Sequence, residues 1–342
     1  MTEADQVRAE YESSLSWRIT KPLRTLRRPA RVATSPAPAP FTPGHFDSWL
    51  EQFHGERLAE IDAACADGGR EQLALFRDLD DDLWAMLLTQ DYSLYPNIRA
   101  LLPRVPDASL QTLWNGASGA VLANQSKSFY AKVVDHQRRH GSTPLAEARV
   151  LDYGCGWGRL LRFFARDVAP GSLHGCDPVQ AILDVCRDSG VPAELTKTEF
   201  VPDRLPYDEP FDLAYAFSVF THLSERAADA CLQALHRALR PGGLLVVTVR
   251  PPQYLQFDPS MHGALEQLGP EPSRRMTEPH HLFAPHAADE LHLQYDGGEM
   301  TYGDTVITLA YMREHWAPMF EVVETAVLIG DLYQVMVTLV RC

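Results

Sequence analysis

Three glycines in the stretch Val150-Leu-Asp-Tyr-Gly-Cys-Gly-Trp-Gly158 stand between an apolar run and a run with helical spacing. Glycine at such a junction permits a tight turn and lets a ligand lie close against the backbone. The spacing is not that of dinucleotide binders, which place the third glycine where this chain has Arg159; here it comes one residue early, at Gly158. Asp152, just ahead of the glycines, suits a ligand carrying positive charge and opposes a pyrophosphate. The next apolar run, SLHGCDP, ends in Asp177. A carboxylate at that place can accept hydrogen bonds from both hydroxyls of a ribose. A third group is Phe217-Ser-Val-Phe-Thr-His222, at the end of another apolar run. His222 is a candidate general base, since imidazole titrates near neutrality. The alternative is a ring that orders its loop or caps the next helix.

Histidines gather in the segment 251–306, at His280, His281, His286 and His292. Imidazole is a common metal ligand, but neither a cysteine nor a His-Glu-x-x-His pattern accompanies them, and no metal is assigned. The prolines of this segment (Pro251, Pro252, Pro259, Pro270, Pro272, Pro279, Pro285) argue for irregular backbone. Long insertions between core elements are frequently functional. The expectation is a loop over an acceptor pocket, with His280, His281 and Asp304 as second-rank candidates for acid/base or substrate contact.

These residues need a scaffold, and the chain from 148 supplies one. ARVLDYG, SLHGCDP, FDLAYAFSVF and LLVVTV read as strands; RLLRFFARDV, AILDVCRDSG and SERAADACLQALHRAL read as helices between them, the last with Ser224 as N-cap. Pro241-Gly242-Gly243 reads as a turn. Alternation of this kind means βαβ units and a mostly parallel sheet. ITLAYMREHWAPM reads as a helix, and FEVVETAVLIG and YQVMVTLVRC follow too closely for a crossover, so an antiparallel hairpin is expected. Residues 45–140 read as helical. There Leu75, Leu79, Leu83, Met86 and Leu87 fall on one stripe, and Tyr92, Tyr95, Trp114 and Tyr130 are assigned to the core before the pocket. Three parts result: a basic tail and Pro/Ala linker over 1–40, a helical lid, substrate or oligomerisation region over 41–145, and the α/β core over 146–342.

With 45% apolar and 22% charged residues, the chain is neither wholly disordered, collagen-like nor a coiled-coil rod. Lys+Arg 31 against Asp+Glu 45 gives a formal net charge of -14, which opposes nucleic acid as a partner. One segment departs from this balance. Arg18, Lys21, Arg24, Arg27, Arg28 and Arg31 occur with no acid among them, as a solvated tail or a contact to an anionic membrane surface or a protein. The six cysteines at 65, 155, 176, 186, 231 and 342 form no Cys-x-x-Cys pair and fit buried thiols in a reducing cytoplasm. The start reads as acidic and polar, without an apolar signal core, and no run reaches the length of a membrane span.

VLDYGCGWGRL, GCDP, FDLAYAFSVFTHL and LRPGGLLVVTV, in this order, resemble the class I S-adenosylmethionine-dependent methyltransferases. The resemblance is close over 146–250 and looser in the C-terminal helix and hairpin. It implies a Rossmann-like, seven-stranded, mostly parallel sheet with a reversed last strand, and S-adenosyl-L-methionine as cofactor. It assigns the cofactor loop to Asp152, Tyr153, Gly154, Cys155, Gly156 and Gly158, with Asp152 on the methionyl side. It assigns Asp177 and Pro178 to the ribose end, and Phe217 and Ser218 to the flank of the transferable methyl. Glu199 and Phe200 stand where the family contacts adenine, although the family's acidic step before Leu-Pro-Phe is replaced here by Thr198-Glu-Phe-Val-Pro-Asp-Arg-Leu-Pro-Tyr207. The reaction implied is in-line displacement at the methyl carbon of a sulfonium, favoured by alignment and a water-poor pocket. Glu12–Arg24 resembles a short segment of bacterial glycosyltransferases and methyltransferases of surface-polysaccharide synthesis. It favours O-methylation of a sugar or glycan over a peptide or other natural product. Homodimerisation is compatible with the sequence. From other classes, a nicotinamide-dependent oxidoreductase is opposed by the glycine spacing, and a non-catalytic nucleoside-binding adaptor by the intact acids and glycines.

Overall fold

A computed structural model describes residues 43–66, 68–269, 271–286, 295–296 and 299–342. The basic segment, the Pro/Ala linker and His292 lie outside the described residues. Five strands run parallel: β1 (Val150–Tyr153), β2 (Leu173–Asp177), β3 (Glu194–Lys197), β4 (Phe211–Ala216) and β5 (Leu239–Val249). Beyond β5, β6 (His281–Pro285) pairs antiparallel with β9 (Gly303–Ile307), and β7 (Tyr295–Asp296) with β8 (Glu299–Met300). The chain returns to the main sheet as the antiparallel hairpin of β10 (Phe320–Leu328) and β11 (Asp331–Arg341), and β11 also runs antiparallel to β5. The seven-stranded order is β10-β11-β5-β4-β1-β2-β3.

Alternate residues of each central strand enter different cores, which is why the strands read as continuous apolar runs. Val150, Leu213, Tyr215, Leu244 and Val246 face one core; Leu151, Tyr153, Ala214, Ala216, Leu245 and Val247 face the other. The first core is completed by the N-terminal helices α1 (Pro43–Cys65), α2 (Asp81–Thr89), α3 (Pro96–Leu101) and α5 (Gly119–His140), whereas α4 (Ala108–Asn115) packs Leu110 into a separate small cluster with Leu122, Trp157 and Ile182. Leu50, Leu58, Trp84, Leu87, Phe129 and Val133 belong to the first core's single cluster, and Trp84 Nε1 donates to the Phe163 carbonyl at 3.0 Å. The helical region is therefore continuous with the sheet's own core. The second core is closed by α8 (Glu225–Ala238), whose Ser224 Oγ accepts from Ala227 N at 3.4 Å, together with Trp316 and Phe320.

Several local expectations are revised. The stripe Leu75–Leu87 is broken into a 3-10 turn (Arg70–Phe76) and α2, because the Asp80 carboxylate accepts from Leu83 N at 2.8 Å and starts a new helix. RLLRFFARDV keeps only one α-helical turn, α6 (Leu161–Phe164). AILDVCRDSG forms α7 (Gln180–Asp188). Pro241-Gly242-Gly243 is not a free turn but the bulged start of β5, where the register against β4 shifts between Phe211 and Leu213. The helix expected at ITLAYMREHWAPM is a short α turn (Leu309–Tyr311) that widens into a π turn (Met312–Trp316). The segment after β5 is more regular than its prolines imply. It contains helical turns at Tyr254–Phe257, His262–Gln267 and Pro272–Arg275 around Leu255, Met261, Leu268 and Val306. Among the described residues no helix is long and apolar enough to cross a membrane.

Candidate active site

The carboxyl ends of β1, β2 and β4 meet at the glycine loop. Gly156 has φ 53°, and a Cβ there would come within 2.7 Å of Trp114 Nε1. The loop therefore needs glycine both for its backbone angle and because α4 presses an indole against it. At Gly154, φ is 79° and a Cβ would meet Val219 Cγ2 at 2.5 Å. Trp157 Nε1 donates to Asn115 Oδ1 at 2.7 Å, a second tie between α4 and the loop. Trp114, assigned to the core from sequence, is thus also a wall of the loop.

Asp177, 6% exposed, closes the loop from the end of β2. Its Oδ2 accepts from Gly156 N at 3.0 Å and its Oδ1 from Val179 N at 2.9 Å. Burial pushes its pKa up to about 6, against the pull of those two backbone bonds. Each oxygen keeps a lone pair for a further donor. Asp152 is 2% exposed, and its Oδ2 has no hydrogen-bond partner. Burial pushes its carboxyl well above the usual range, opposed by the charge of Arg159. A buried acid in that condition calls for a cationic group. A buried acid with one oxygen left without a partner, beside a loop closed to any Cβ and with a second acid at the neighbouring strand end, fits a positively charged nucleoside.

Other residues expected at the cofactor contribute differently. The Tyr153 hydroxyl lies in the opposite core, 3.0 Å from Cys231 Sγ, and the Cys155 thiol packs toward Gly175, so only their backbones face the loop. Pro178 is half-buried between Asp177 and α7; Glu199 and Phe200 are exposed just past β3. The Phe217 ring packs edge-on to Phe129 at 4.9 Å. Ser218 holds φ 62°, uncommon for a residue with a side chain. It is kept there by Ser218 N donating to Thr248 Oγ1 at 2.7 Å and by Gln334 Nε2 donating to Ser218 Oγ at 3.0 Å. Backbone strain of this kind clusters at functional sites.

His222 has both ring nitrogens engaged. Nδ1 donates to the Gly303 carbonyl at 2.8 Å, and Arg250 Nη2 donates to Nε2 at 3.3 Å. The ring stacks on Tyr302, with centroids 5.0 Å apart. Burial and the neighbouring Arg250 pull its pKa down to about 3. Asp304 receives Arg250 Nη1, Ser260 Oγ at 3.0 Å and His286 Nε2 at 3.0 Å. Burial raises its carboxyl, but the His286 bond and the Arg250 charge outweigh this and hold it far below the usual range. His222, Arg250, His286 and Asp304 therefore form one network joining the end of β4, the end of β5 and β9.

His280 and His281 lie away from that network. His281 starts β6 and packs against Tyr311 with centroids 5.6 Å apart, and burial pulls its pKa down to about 4. His280 N donates to Thr308 Oγ1 at 2.9 Å. Among the described residues no group of three or more His, Cys, Asp or Glu is placed to hold a metal ion. Arg159, Arg250, Thr248 and Gln334 were not foreseen. Arg250 follows β5 and Gln334 lies within β11, but each looks in sequence like an ordinary polar residue flanking an apolar run.

Residues 150–243 match the family model of a methyltransferase domain. An uncharacterized methyltransferase of Schizosaccharomyces pombe, C1B3.06c, is 31% identical over 124 residues, covering 31% of this chain and 44% of the relative. The chain thus aligns with less than half of that relative's length. Among solved structures, magnesium protoporphyrin IX methyltransferase (ChlM) from Synechocystis PCC 6803 with bound SAH is similar, with a TM-score of 0.44, 14% identity and coverage of 78% of this chain and 96% of that one. Streptomyces venezuelae DesVI is similar with a TM-score of 0.41, 14% identity and coverage of 64% and 92%. The matched segment begins at β1 and ends inside the bulge that opens β5, and the sheet carries the reversed strand beside β5. Residues 150–243 thus carry a methyltransferase domain.

Proposed function

We propose that this protein methylates a hydroxyl oxygen of a polar small molecule, a sugar or glycan being the acceptor class that fits best. The observation that carries this reading is Gln334. It is 8% exposed, stands beside Ser218 at the methyl-flanking turn, and its Oε1 has no hydrogen-bond partner. A buried acceptor oxygen asks for a donor, and an acceptor hydroxyl supplies one while its own lone pair stays free to attack.

In this reading Gly154, Gly156 and Gly158 receive the nucleoside, Asp177 accepts from its ribose hydroxyls, and Asp152 faces its cationic end. S-adenosylmethionine, when bound, supplies a methyl group on a sulfonium, which leaves as a neutral thioether once the new bond is made. Phe217 and Phe129 line the nearby wall and exclude water, which helps a step in which charge is neutralised. Gln334 orients the hydroxyl. The His222 network holds the turn 217–222 in place; with Arg250 on Nε2 and a pKa of about 3, the ring serves as a positioning group. The methylated oxygen is then an oxonium, strongly acidic, and gives up the hydroxyl proton to water as the product leaves the pocket. A cytoplasmic location is part of this proposal, supported by six unpaired cysteines.

The test is transfer of label from methyl-labelled S-adenosylmethionine to sugars and sugar nucleotides, compared with peptides. Label recovered as a base-stable methyl ether supports the reading. Label on a peptide, or on nitrogen, replaces it.

A further inference from the structure

The hairpin of β10 and β11 turns beyond the carboxyl end of β5: Val335 pairs with Val249, and the chain from Leu328 to Gln334 lies past that pair. Its tip is apolar. Ile329 is 93% exposed, and Val327 and Leu332 are each more than half exposed. From Thr325 to Gln334 the sequence holds one charged residue, Asp331, whose carboxylate accepts from Gln125 Nε2 of α5. Val121, one turn before Gln125 on α5, is exposed as well. On the other side of the tip Phe257, 44% exposed, stacks on Tyr333 with centroids 4.4 Å apart. The hairpin, α5 and the turn at Tyr254–Phe257 thus carry one apolar rim.

This rim borders the site. Gln334, two residues after Leu332 and so on the same face of β11, donates to Ser218 Oγ at 3.0 Å. Gln125 Oε1 accepts from Arg159 Nη1 at 2.7 Å, and the same Nη1 donates to Ser126 Oγ at 3.1 Å. The Arg159 guanidinium lies 4.6 Å from the centroid of the Phe217 ring.

An exposed apolar patch marks a contact with protein or with membrane. Two observations favour the membrane. Hot spots between proteins are rich in Trp, Tyr and Arg and poor in Leu and Val, whereas the residues protruding here are Val, Ile and Leu. The sequence also segregates charge: six cations and no acid fall between Arg18 and Arg31, in a chain of net charge -14. Apolar burial and basic residues act together at anionic bilayers.

We propose that this rim docks on the surface of an anionic lipid bilayer, with Ile329 and Leu332 entering the acyl boundary and the mouth of the site turned toward the membrane. The docking goes beyond the acceptor reading given above and does not depend on it.

The test sediments the full chain with vesicles of phosphatidylcholine and phosphatidylglycerol in equal parts, and with phosphatidylcholine alone. The wild type should bind the mixed vesicles at least about 10-fold more tightly than the neutral ones. Ile329→Glu with Leu332→Glu should weaken binding to mixed vesicles at least about 10-fold, because two aliphatic side chains no longer leave water. Its affinity for S-adenosylhomocysteine should stay within about 2-fold of wild type, as for surface substitutions away from a site. A nitroxide at Ile329→Cys, with the exposed Cys342 changed to serine, should lose access to an aqueous paramagnetic reagent when mixed vesicles are added. No vesicle binding by the wild type, equal binding to both compositions, undiminished binding by the double variant, or an unchanged nitroxide overturns the proposal. So does a dimeric wild type that the double variant turns into a monomer, since a second copy would then cover the rim. A chain that docks on vesicles yet methylates no hydroxyl removes the acceptor reading alone.

Discussion

Replacing Asp177 by asparagine isolates its charge from its shape. In the folded protein burial raises this carboxyl from an ordinary 3.8 to about 6. That is about two pK units, so keeping the group ionised at pH 7 costs roughly 3 kcal/mol of folding stability. The sign follows from the protons: between pH 4 and 6 the native state holds the proton that the unfolded chain has released, so this residue's contribution falls as pH rises through that window. Asparagine removes the penalty but turns an NH2 toward Gly156 N or Val179 N, at a cost of about 1–3 kcal/mol. The two effects largely offset, and Asp177→Asn is expected to melt within about 5 °C of wild type. Ligand binding runs the other way. Ribose hydroxyls donate, and they favour the ionised acid. Titration calorimetry from pH 5 to 8 should show wild-type affinity for S-adenosylhomocysteine rising by up to tenfold per pH unit below about 6 and then levelling. In Asp177→Asn that step should be absent, and affinity at pH 7.5 lower by about 10- to 100-fold. A wild-type profile without the step, or a variant that binds normally at pH 7.5, would refute the role assigned to Asp177.

Gly156→Ala places a Cβ against Trp114 at a positive φ, so it should abolish detectable S-adenosylhomocysteine binding and cost about 1–3 kcal/mol in urea unfolding; normal binding would mean that the loop does not receive the ligand. Arg250→Gln leaves Asp304 without its guanidinium and should destabilise by about 3–5 kcal/mol, read from denaturation midpoints, with a loss under 1 kcal/mol counting against the network. His222 should show the NMR shifts of a neutral ring protonated at Nδ1 even at pH 5; because its folded pKa lies below the unfolded 6.5, its contribution to stability is lost as pH falls from 6.5 toward 3. An imidazolium at pH 5 would contradict this. Gln334→Leu should lower kcat/KM for a hydroxyl acceptor about 10-fold with S-adenosylhomocysteine affinity unchanged, and an unaltered kcat/KM would remove Gln334 from the acceptor site.

What could be read from the residues follows from how local their physics is. β1, β2 and β4 stand out because they are buried on both faces of the sheet, whereas the β10–β11 hairpin, whose β10 is a half-exposed edge strand, is legible from the closeness of its two β-branched runs. β3 escaped notice because it is the edge strand, with Glu194 and Lys197 exposed and little periodicity to betray it. The glycines, Asp152 and Asp177 are legible because their roles depend on backbone position at a strand end. The partners of His222 are not. Arg250 reaches it from the end of β5 and Gly303 and Asp304 from β9, and only their convergence closes both ring nitrogens. Arg159 is hidden for the same reason: Gln125, Ser126 and Phe217 come from α5 and from the end of β4.

The shared core of α1, α2 and α5 with β1, β4 and β5 has a bearing on how small a working fragment can be. Cutting out only the stretch that matches the methyltransferase family would strip Phe129, Val133 and Trp84 from Tyr215 and Val246, laying bare one whole side of the sheet. Such an excised piece would aggregate instead of folding. In the intact chain, helices and sheet must come apart together, so a nucleoside lodged at the strand ends would lend protection as far away as Leu50.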